Sequence, residues 1–547
     1  MNRHEHPSVA VLGCTICKVG NVESTDIACR KLPMVSANLL DNLEFIFSDD
    51  RTNLESNKMP DTKTPIPVIV GISHVNQDED DFTKCREPLE LMIEAVKVAA
   101  IDSEAPGILE KLDQVCVNQG TWNYSDPARA VASAVSAYRA KSARTFWGGN
   151  FVQFALNRMA LAISQGELES VAFTGAEWGR TLARMRRKGH TPALADAPGE
   201  PDSRYGKHDF IAHLLEREIG CVQPVQTYPM FENALRYARG ESPDEHLVRI
   251  SELWARFAQV AANNPHAAIR ASPSAEAIRT PSAGNRPVSF PYLKLLNSNN
   301  NVDQAAALIL CSTKFAAKLG IPEEKWVYPL AGTDANDILF MSNRLDYTAS
   351  PAIRIAGGKC LELAGLDTAS LDFVDLYSCF PVAVQIAAKE LGLDEEQDLT
   401  VTGGLTFAGG PLNNYVMHSV ARTVELLRQS PEKKALVTAN GGTLGKHAFT
   451  AYSGERPEQS FRHASMQAAV DALPKREVLE EWNGRLAVET YTVMYGADGP
   501  EIGYATCLTP DGRRVWATTR EAEHLDAMLD GEFCGTEIGI RGREMVM

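Results

Sequence analysis

Two hydrophobic periods alternate along this chain from residue 65 onward. Residues 66–71 form a short unbroken apolar run, the pattern of a buried strand. Residues 88–102 repeat apolar side chains at helical spacing, with Leu89, Met92, Ala95, Val96, Ala99 and Ala100 on one face. Residues 113–117 read as the next strand. Asp126-Pro127 opens another helix, Asp126 as N-cap and Pro127 in the first turn. Over 145–178 a strand end runs into Gly148-Gly149-Asn150, then a helix to 164, then a strand at 170–174. The same order returns at 371–391, where a strand ends in Tyr377-Ser378-Cys379-Phe380 and Pro381 opens the helix. This weak repeat predicts an α/β body of two similar halves.

Between the halves the pattern loosens. Residues 180–291 hold a basic run at 180–188 and a long helix over 243–262, with Leu247, Ile250, Leu253, Trp254, Phe257 and Val260 on one face. A mostly helical insertion is expected there. Residues 302–312 read as a helical turn feeding a strand, and 352–364 as a helix closed by the C-cap glycine Gly365. After 455 the character changes. Residues 484–495 alternate in Val, Thr and Tyr, and 502–509 and 514–519 flank Pro510-Asp511-Gly512, a hairpin signal. A short helix at 520–529 and a strand near 538–541 follow. Residues 59–470 are expected to form the α/β body and 476–547 a small, separate β-barrel of the OB type. Residues 1–58 are polar and are expected to be a disordered extension. Their Cys14 and Cys17 have C-x-x-C spacing with no second pair at zinc-ribbon distance.

Residues 401–449 concentrate the candidate chemistry. One cluster is Gly403, Gly404, Gly409 and Gly410, closed by Pro411; the other is Gly441, Gly442 and Gly445, followed by Lys446 and His447. Glycine at this density lets a ligand approach the backbone and leaves N–H groups for it. Two tight turns at sheet ends would read the same way. Gly148-Gly149-Asn150 sets N–H groups at a positive helix N-terminus, a place for an oxyanion, or is a turn required by packing alone.

A net charge of −16 argues against nucleic acid and anionic membranes as partners. It leaves room for a local basic pocket. The run at 180–188 either meets the phosphates of a nucleotide-like cofactor or is a solvated face. Eleven cysteines with no disulfide framework predict a reduced, cytoplasmic protein. No apolar run reaches the roughly 18 residues of a membrane span.

The stretches GGNFVQFALNRMALAISQGELESVAFTGAEW, VDQAAALILCS and VDLYSCFPVAVQIAAKELGL, with the two glycine clusters, resemble the thiolase superfamily. The resemblance is nearest to the sterol-carrier-protein-2-like thiolases and the thiolase-like type 1 proteins, some described as acetyl-CoA acetyltransferases. It covers about residues 65–455 and implies a duplicated thiolase fold, layered αβαβα. The type 1 branch carries an extra C-terminal barrel, which would match 476–547. The chain departs from the family where thiolase chemistry resides. Gly149 stands at the nucleophilic cysteine, Gly410 at the histidine of the Gly-His-Pro motif, Ala439 at the second cysteine, and Tyr377 at the oxyanion-hole Asn or His. A cysteinyl acyl-enzyme is therefore not expected.

Four side chains remain as catalytic candidates. Tyr377 can polarise a carbonyl or act as acid or base. His447 is the candidate general base, or else a structural histidine. Cys379 and His418 are further candidates, though a buried thiol and a helix histidine explain them as well. Gly149, Asn150, Gly410, Gly441, Gly442 and Gly445 are the candidate substrate-binding positions. No metal or bound cofactor is expected; coenzyme A is expected as a substrate, with an acyl-CoA or β-keto acid. The first reading is CoA-dependent Claisen-type cleavage or acyl transfer. The alternatives are a retro-aldol lyase acting on a β-hydroxyacyl-CoA and a non-catalytic acyl-CoA or lipid-binding subunit. The resemblance also implies a homodimer.

Overall fold

The computed structural model describes residues 64–546; the extension at 1–58, with Cys14 and Cys17, lies outside the described residues. The first half runs β1 (Pro67–Asn76), α1 (Pro88–Asp102), β2 (Gln114–Val117), α2 (Pro127–Ala134), β3 (Lys141–Thr145), α3 (Phe151–Ser164), β4 (Ser170–Trp178), α4 (Gly179–Arg187) and β5 (Ser203–Tyr205). A mainly helical stretch follows, with α5 (Leu214–Glu218), α6 (Pro224–Arg239), α7 (Pro243–Asn263), α8 (Ala275–Arg279) and the short strands β6 (Pro287–Ser289) and β7 (Tyr292–Leu293). β8 (Asp303–Ser312) then inserts into the first sheet, whose order is β1-β8-β4-β2-β3-β5.

The second half comprises α9 (Thr313–Leu319), β9 (Tyr328–Asn336), α10 (Gly358–Ala364), β10 (Phe373–Asp375), α11 (Pro381–Leu391), α12 (Gly404–Phe407), α13 (Tyr415–Gln429), β11 (Lys434–Gly441), β12 (Lys446–Ser453) and β13 (Arg462–Ser465). Its sheet has the order β10-β11-β12-β9-β13. α1 packs on the outer face of the first sheet, α3 and α13 lie between the sheets, and α10 covers the second. This is the layered αβαβα body of the thiolase fold.

Two elements differ from their sequence reading. Residues 303–312 are strand throughout, with no helical turn. Ala305, Ala307, Ile309 and Cys311 enter the core beneath α1, while Ala306, Leu308 and Leu310 enter the core on the α3 side. With both faces buried, the apolar run loses the alternation that marks a half-buried strand. The helix before Gly365 begins as a π-helical turn, Ile353–Gly357. Gly365 itself ends the helix in the left-handed conformation, φ 69°.

After α14 (Gln467–Asp471) come β14 (Trp482–Tyr495), β15 (Pro500–Leu508), β16 (Arg514–Thr519), α15 (Ala522–Leu529), β17 (Glu537–Gly542) and β18 (Glu544–Val546). β14 pairs with both β15 and β17, closing a five-stranded barrel in the order β14-β15-β16-β18-β17. The barrel has its own core. It also meets the body through buried polar contacts. Arg514, wholly buried, donates to the carbonyls of Met341, Ser342 and Arg344 at 3.2, 2.8 and 2.6 Å and pairs with Glu489 at 2.6 Å. Trp516 Nε1 donates to Ser342 Oγ at 2.9 Å. Replacing Arg514 by leucine strands the Glu489 carboxylate and three carbonyls. We expect a loss of about 3–5 kcal/mol in urea-induced unfolding, the cost of breaking a buried ion pair from one side.

Candidate functional site

The N-terminus of α3, the loop after β10 and the turn between β11 and β12 meet at one place. A β-carbon on Gly149 would lie 2.4 Å from the Asn440 carbonyl oxygen and 2.6 Å from the Tyr377 hydroxyl. Glycine stands at 149 because β11 and Tyr377 fill the space a side chain would need. A β-carbon on Gly441 would in turn lie 3.2 Å from the backbone nitrogens of both Gly149 and Asn150, and 2.6 Å from Asn150 Oδ1. Neither of those two N–H groups has a hydrogen-bond acceptor among the described residues. Both sit at the positive end of a fourteen-residue helix.

Asn440 faces the same spot. Its Nδ2 donates to the Tyr228 hydroxyl at 2.8 Å and lies 3.8 Å from Cys379 Sγ. Its Oδ1, like Asn150 Oδ1, is buried with no partner. Tyr228 comes from α6 in the helical insertion. It accepts from the Leu444 N–H at 3.0 Å and donates to the Gly442 carbonyl at 3.1 Å. Tyr377, Ala439, Asn440, Leu444 and His447 line a cavity of about 10 Å³, the size of one water.

Burial drives every titratable group here toward its neutral form. The Cys379 thiol is pushed up to about 12 and stays protonated at neutral pH. The Tyr377 and Tyr228 hydroxyls are raised above the usual phenol range for the same reason. His447 is pulled down to about 4, burial outweighing the Asp337 carboxylate 3.8 Å away. Its Nε2 lies 3.2 Å from the Leu444 carbonyl, so that nitrogen carries the proton of a neutral imidazole. The site is a set of neutral donors with one weak base.

The structure brings together Gly149, Asn150, Tyr377, Cys379, Gly441, Gly442 and His447. It sets three other candidates apart. His418, pulled down to about 3 by burial, lines a second small cavity with His74, His266 and Gly409. Tyr415 lines that cavity too, and its ring meets Tyr377 edge-on at 5.6 Å. Gly410 lies against Asn299 and Asn300. The Gly445 N–H donates to the Gly441 carbonyl at 3.2 Å and closes the turn. The sequence reading missed Asn440, Tyr228 and Tyr415. Asn440 directly precedes a Gly-Gly pair, which was a usable signal; Tyr228 had none, because the fold alone delivers it from the insertion.

A larger cleft, about 630 Å³, opens beside these residues and is lined by Arg180, Lys294, Asn299, Asn300 and Gln304 among others. Ser298 on its wall donates to the Cys379 carbonyl at 2.9 Å. Two arginines of the basic run are engaged by acidic residues: Arg180 by Asp78 and Asp80, Arg184 by Asp80. Arg186, Arg187 and Lys188 face solvent. No helix among the described residues is long and apolar enough to cross a membrane.

Comparison with known proteins fits this architecture. Residues 465–544 match the additional C-terminal domain of thiolase-like protein type 1. The chain is 30% identical to a monomeric SCP2-thiolase like protein type 1 from Mycobacterium smegmatis, over 88% of this chain and 99% of that one, with a TM-score of 0.76. It belongs to the SCP2-thiolase-like type 1 family. Among curated relatives, an acetyl-CoA acetyltransferase of Methanocaldococcus jannaschii is 26% identical over 27% of this chain and 42% of the relative. Sterol carrier protein 2 of Oryctolagus cuniculus is 25% identical over 42% of this chain and 47% of the relative. The chain thus spans about half the length of these curated relatives.

Two outcomes follow from the geometry. Gly149→Ala should destabilise the protein by about 1–3 kcal/mol, measured as chemical denaturation, because the nearest obstacle is a backbone carbonyl that cannot turn away. His447 binds a proton less readily folded than unfolded. It therefore opposes folding as pH falls from about 6.5 to about 4, by roughly 1.4 kcal/mol per pH unit. His447→Gln should flatten the pH–stability curve in that window and leave it unchanged above pH 7.

Proposed function

We propose that this protein is an acyl-CoA enzyme that cleaves or forms the C–C bond of a β-keto acid or β-ketoacyl-CoA with no cysteinyl acyl-enzyme. The observation that carries this reading is the convergence of unpartnered polar groups at Gly149. The free N–H groups of Gly149 and Asn150 and the nearby hydroxyl of Tyr377 are neutral donors of the kind a developing oxyanion requires. With glycine at 149 and Cys379 held as a thiol, the acceptor is the CoA thiol itself. His447, neutral at physiological pH, takes the thiol proton. The sulfur adds to the keto carbon, the C–C bond breaks, and its electron pair passes to the departing carbonyl fragment as an enolate. The large cleft falls in the size range of small-molecule sites, and Lys294 on its wall suits a CoA phosphate, whereas Arg180 there is already paired with Asp78 and Asp80. Relatives named acetyl-CoA acetyltransferase support acyl transfer as the reaction class.

A second reading uses the same donors. The Tyr377 hydroxyl bonds to no described residue, so it can serve a β-hydroxyacyl-CoA in a retro-aldol cleavage. The likeness to a protein described as monomeric favours a monomer over the expected homodimer.

The test incubates purified protein with β-keto acids, β-ketoacyl-CoAs and β-hydroxyacyl-CoAs, with and without free CoA, and reads the CoA esters by mass spectrometry. A shortened acyl-CoA that appears only with added CoA is expected. Tyr377→Phe should then lower turnover roughly hundredfold while ligand binding survives. An aldehyde or ketone released without added CoA would establish the lyase. Acyl-CoA binding with no product from any member would leave a binding protein.

A further inference from the structure

The second cavity holds a cluster that the reaction above does not use. His74 stands near the end of β1, and His266 lies on the loop after α7. His418, Arg422 and Glu425 share one face of α13 at i, i+4 and i+7. The His74 side chain is only 2% exposed, and its Nε2 has no hydrogen-bond partner. That atom lies 3.9 Å from Glu425 Oε1, and His266 Nε2 lies 2.9 Å from the same oxygen. One ligand atom from each of His74, His266 and Glu425 falls within 4.8 Å of the others.

The surroundings have the form of an outer shell. His74 Nδ1 is 3.1 Å from His418 Nδ1, a pair that holds one proton between two nitrogens. When His74 donates, its buried Nε2 is left as a bare lone pair turned toward Glu425. A metal-binding histidine needs its other nitrogen satisfied in this way. Arg422 holds the second oxygen of Glu425 at 2.7 Å and so orients Oε1. The His74 and His266 rings stack at 3.9 Å with an 11° interplanar angle. Ligation therefore requires the His266 ring, 30% exposed on its loop, to turn until the two lone pairs converge.

We propose that His74, His266 and Glu425 bind a divalent transition-metal ion of the zinc or cobalt class, with His418 and Arg422 as positioning residues. Two imidazoles and one carboxylate are a donor set suited to such ions rather than to calcium or magnesium. The ion would pin the loop that carries His266 to β1 and α13. Ala267, Ala268 and Ile269 of that loop line the large cleft, so the ion would fix one wall of it.

The test uses the full chain without an affinity tag, in a Cys14→Ser, Cys17→Ser background so that those thiols do not compete. Metal-free protein is titrated with Co(II), read by its visible absorption bands, and with Zn(II), read by competition with a chromophoric chelator. We expect uptake of one equivalent. His266→Ala and Glu425→Gln, both at partly exposed side chains, should each weaken binding at least tenfold. His418→Gln should weaken it on the order of tenfold, as loss of an outer-shell partner does. His190→Ala, at an exposed histidine, should leave it unchanged. No stoichiometric uptake by the parent protein, or equal uptake by the His266 and Glu425 variants, would overturn the assignment.

Discussion

The amides buried on α3 constrain everything around them. Gln153 and Asn157 are wholly buried between the two sheets, where an unpaired amide would cost more than any contact it displaces. Gln153 donates to Thr450 Oγ1 at 2.6 Å and to the Tyr452 hydroxyl at 2.9 Å. Asn157 donates to the Phe449 carbonyl at 3.1 Å and accepts from Thr450. All these partners lie on β12, so polar contacts pin the helix to that strand alongside the apolar face of Val152, Leu156, Met159 and Ile163, although Gln153 Oε1 keeps no partner. Gly332 on β9 completes the fit, since a β-carbon there would come within 2.4 Å of the Asn157 amide. The helix N-terminus inherits that placement. Gly149 and Asn150 reach Asn440 and Tyr377 because the helix behind them cannot slide.

This constraint also explains which parts of the molecule could be read along the chain. α1, α3 and α11 are bounded by local spelling: a proline in the first turn of α1 and α11, Gly-Gly-Asn before α3, a glycine or polar stop at the end, and an apolar face between. Those signals lie within a few residues of the elements they define. The site is assembled from long range. Tyr228 reaches Asn440 across 212 positions, and His74 reaches His418 across 344. The glycine clusters marked where backbone and ligand come close, yet they did not separate Gly441, which opens onto the helix N-terminus, from Gly445, whose N–H closes a turn. β8 shows a different limit. Its alanines and leucines serve two cores at once, so neither period appears in the sequence.

The neutrality of the site follows from the same burial. Cys379 is driven up and His447 down chiefly by one cause, removal from water, which outweighs even the Asp337 carboxylate 3.8 Å from His447. Such a site cannot rely on a standing thiolate. It can stabilise negative charge that arrives with the reaction, since fixed donors act strongly where water is scarce.

A catalytically silent relic would be expected to lose its unpaired polar atoms first. Each buried amide oxygen without a partner costs about 1–3 kcal/mol, and an apolar replacement of similar shape removes that cost. Asn150 Oδ1 and Asn440 Oδ1 both carry it, and Asn150 Oδ1 lies a few ångströms from two unpartnered N–H groups. Under the proposed reading, a polar ligand atom arriving beside Asn150 would convert part of the penalty in the empty protein into binding energy in the complex. The absent cysteine fits the proposed reading, because the Asn440 carbonyl and Tyr377 hydroxyl that exclude a side chain at 149 would themselves be part of the polar surface a bound substrate meets.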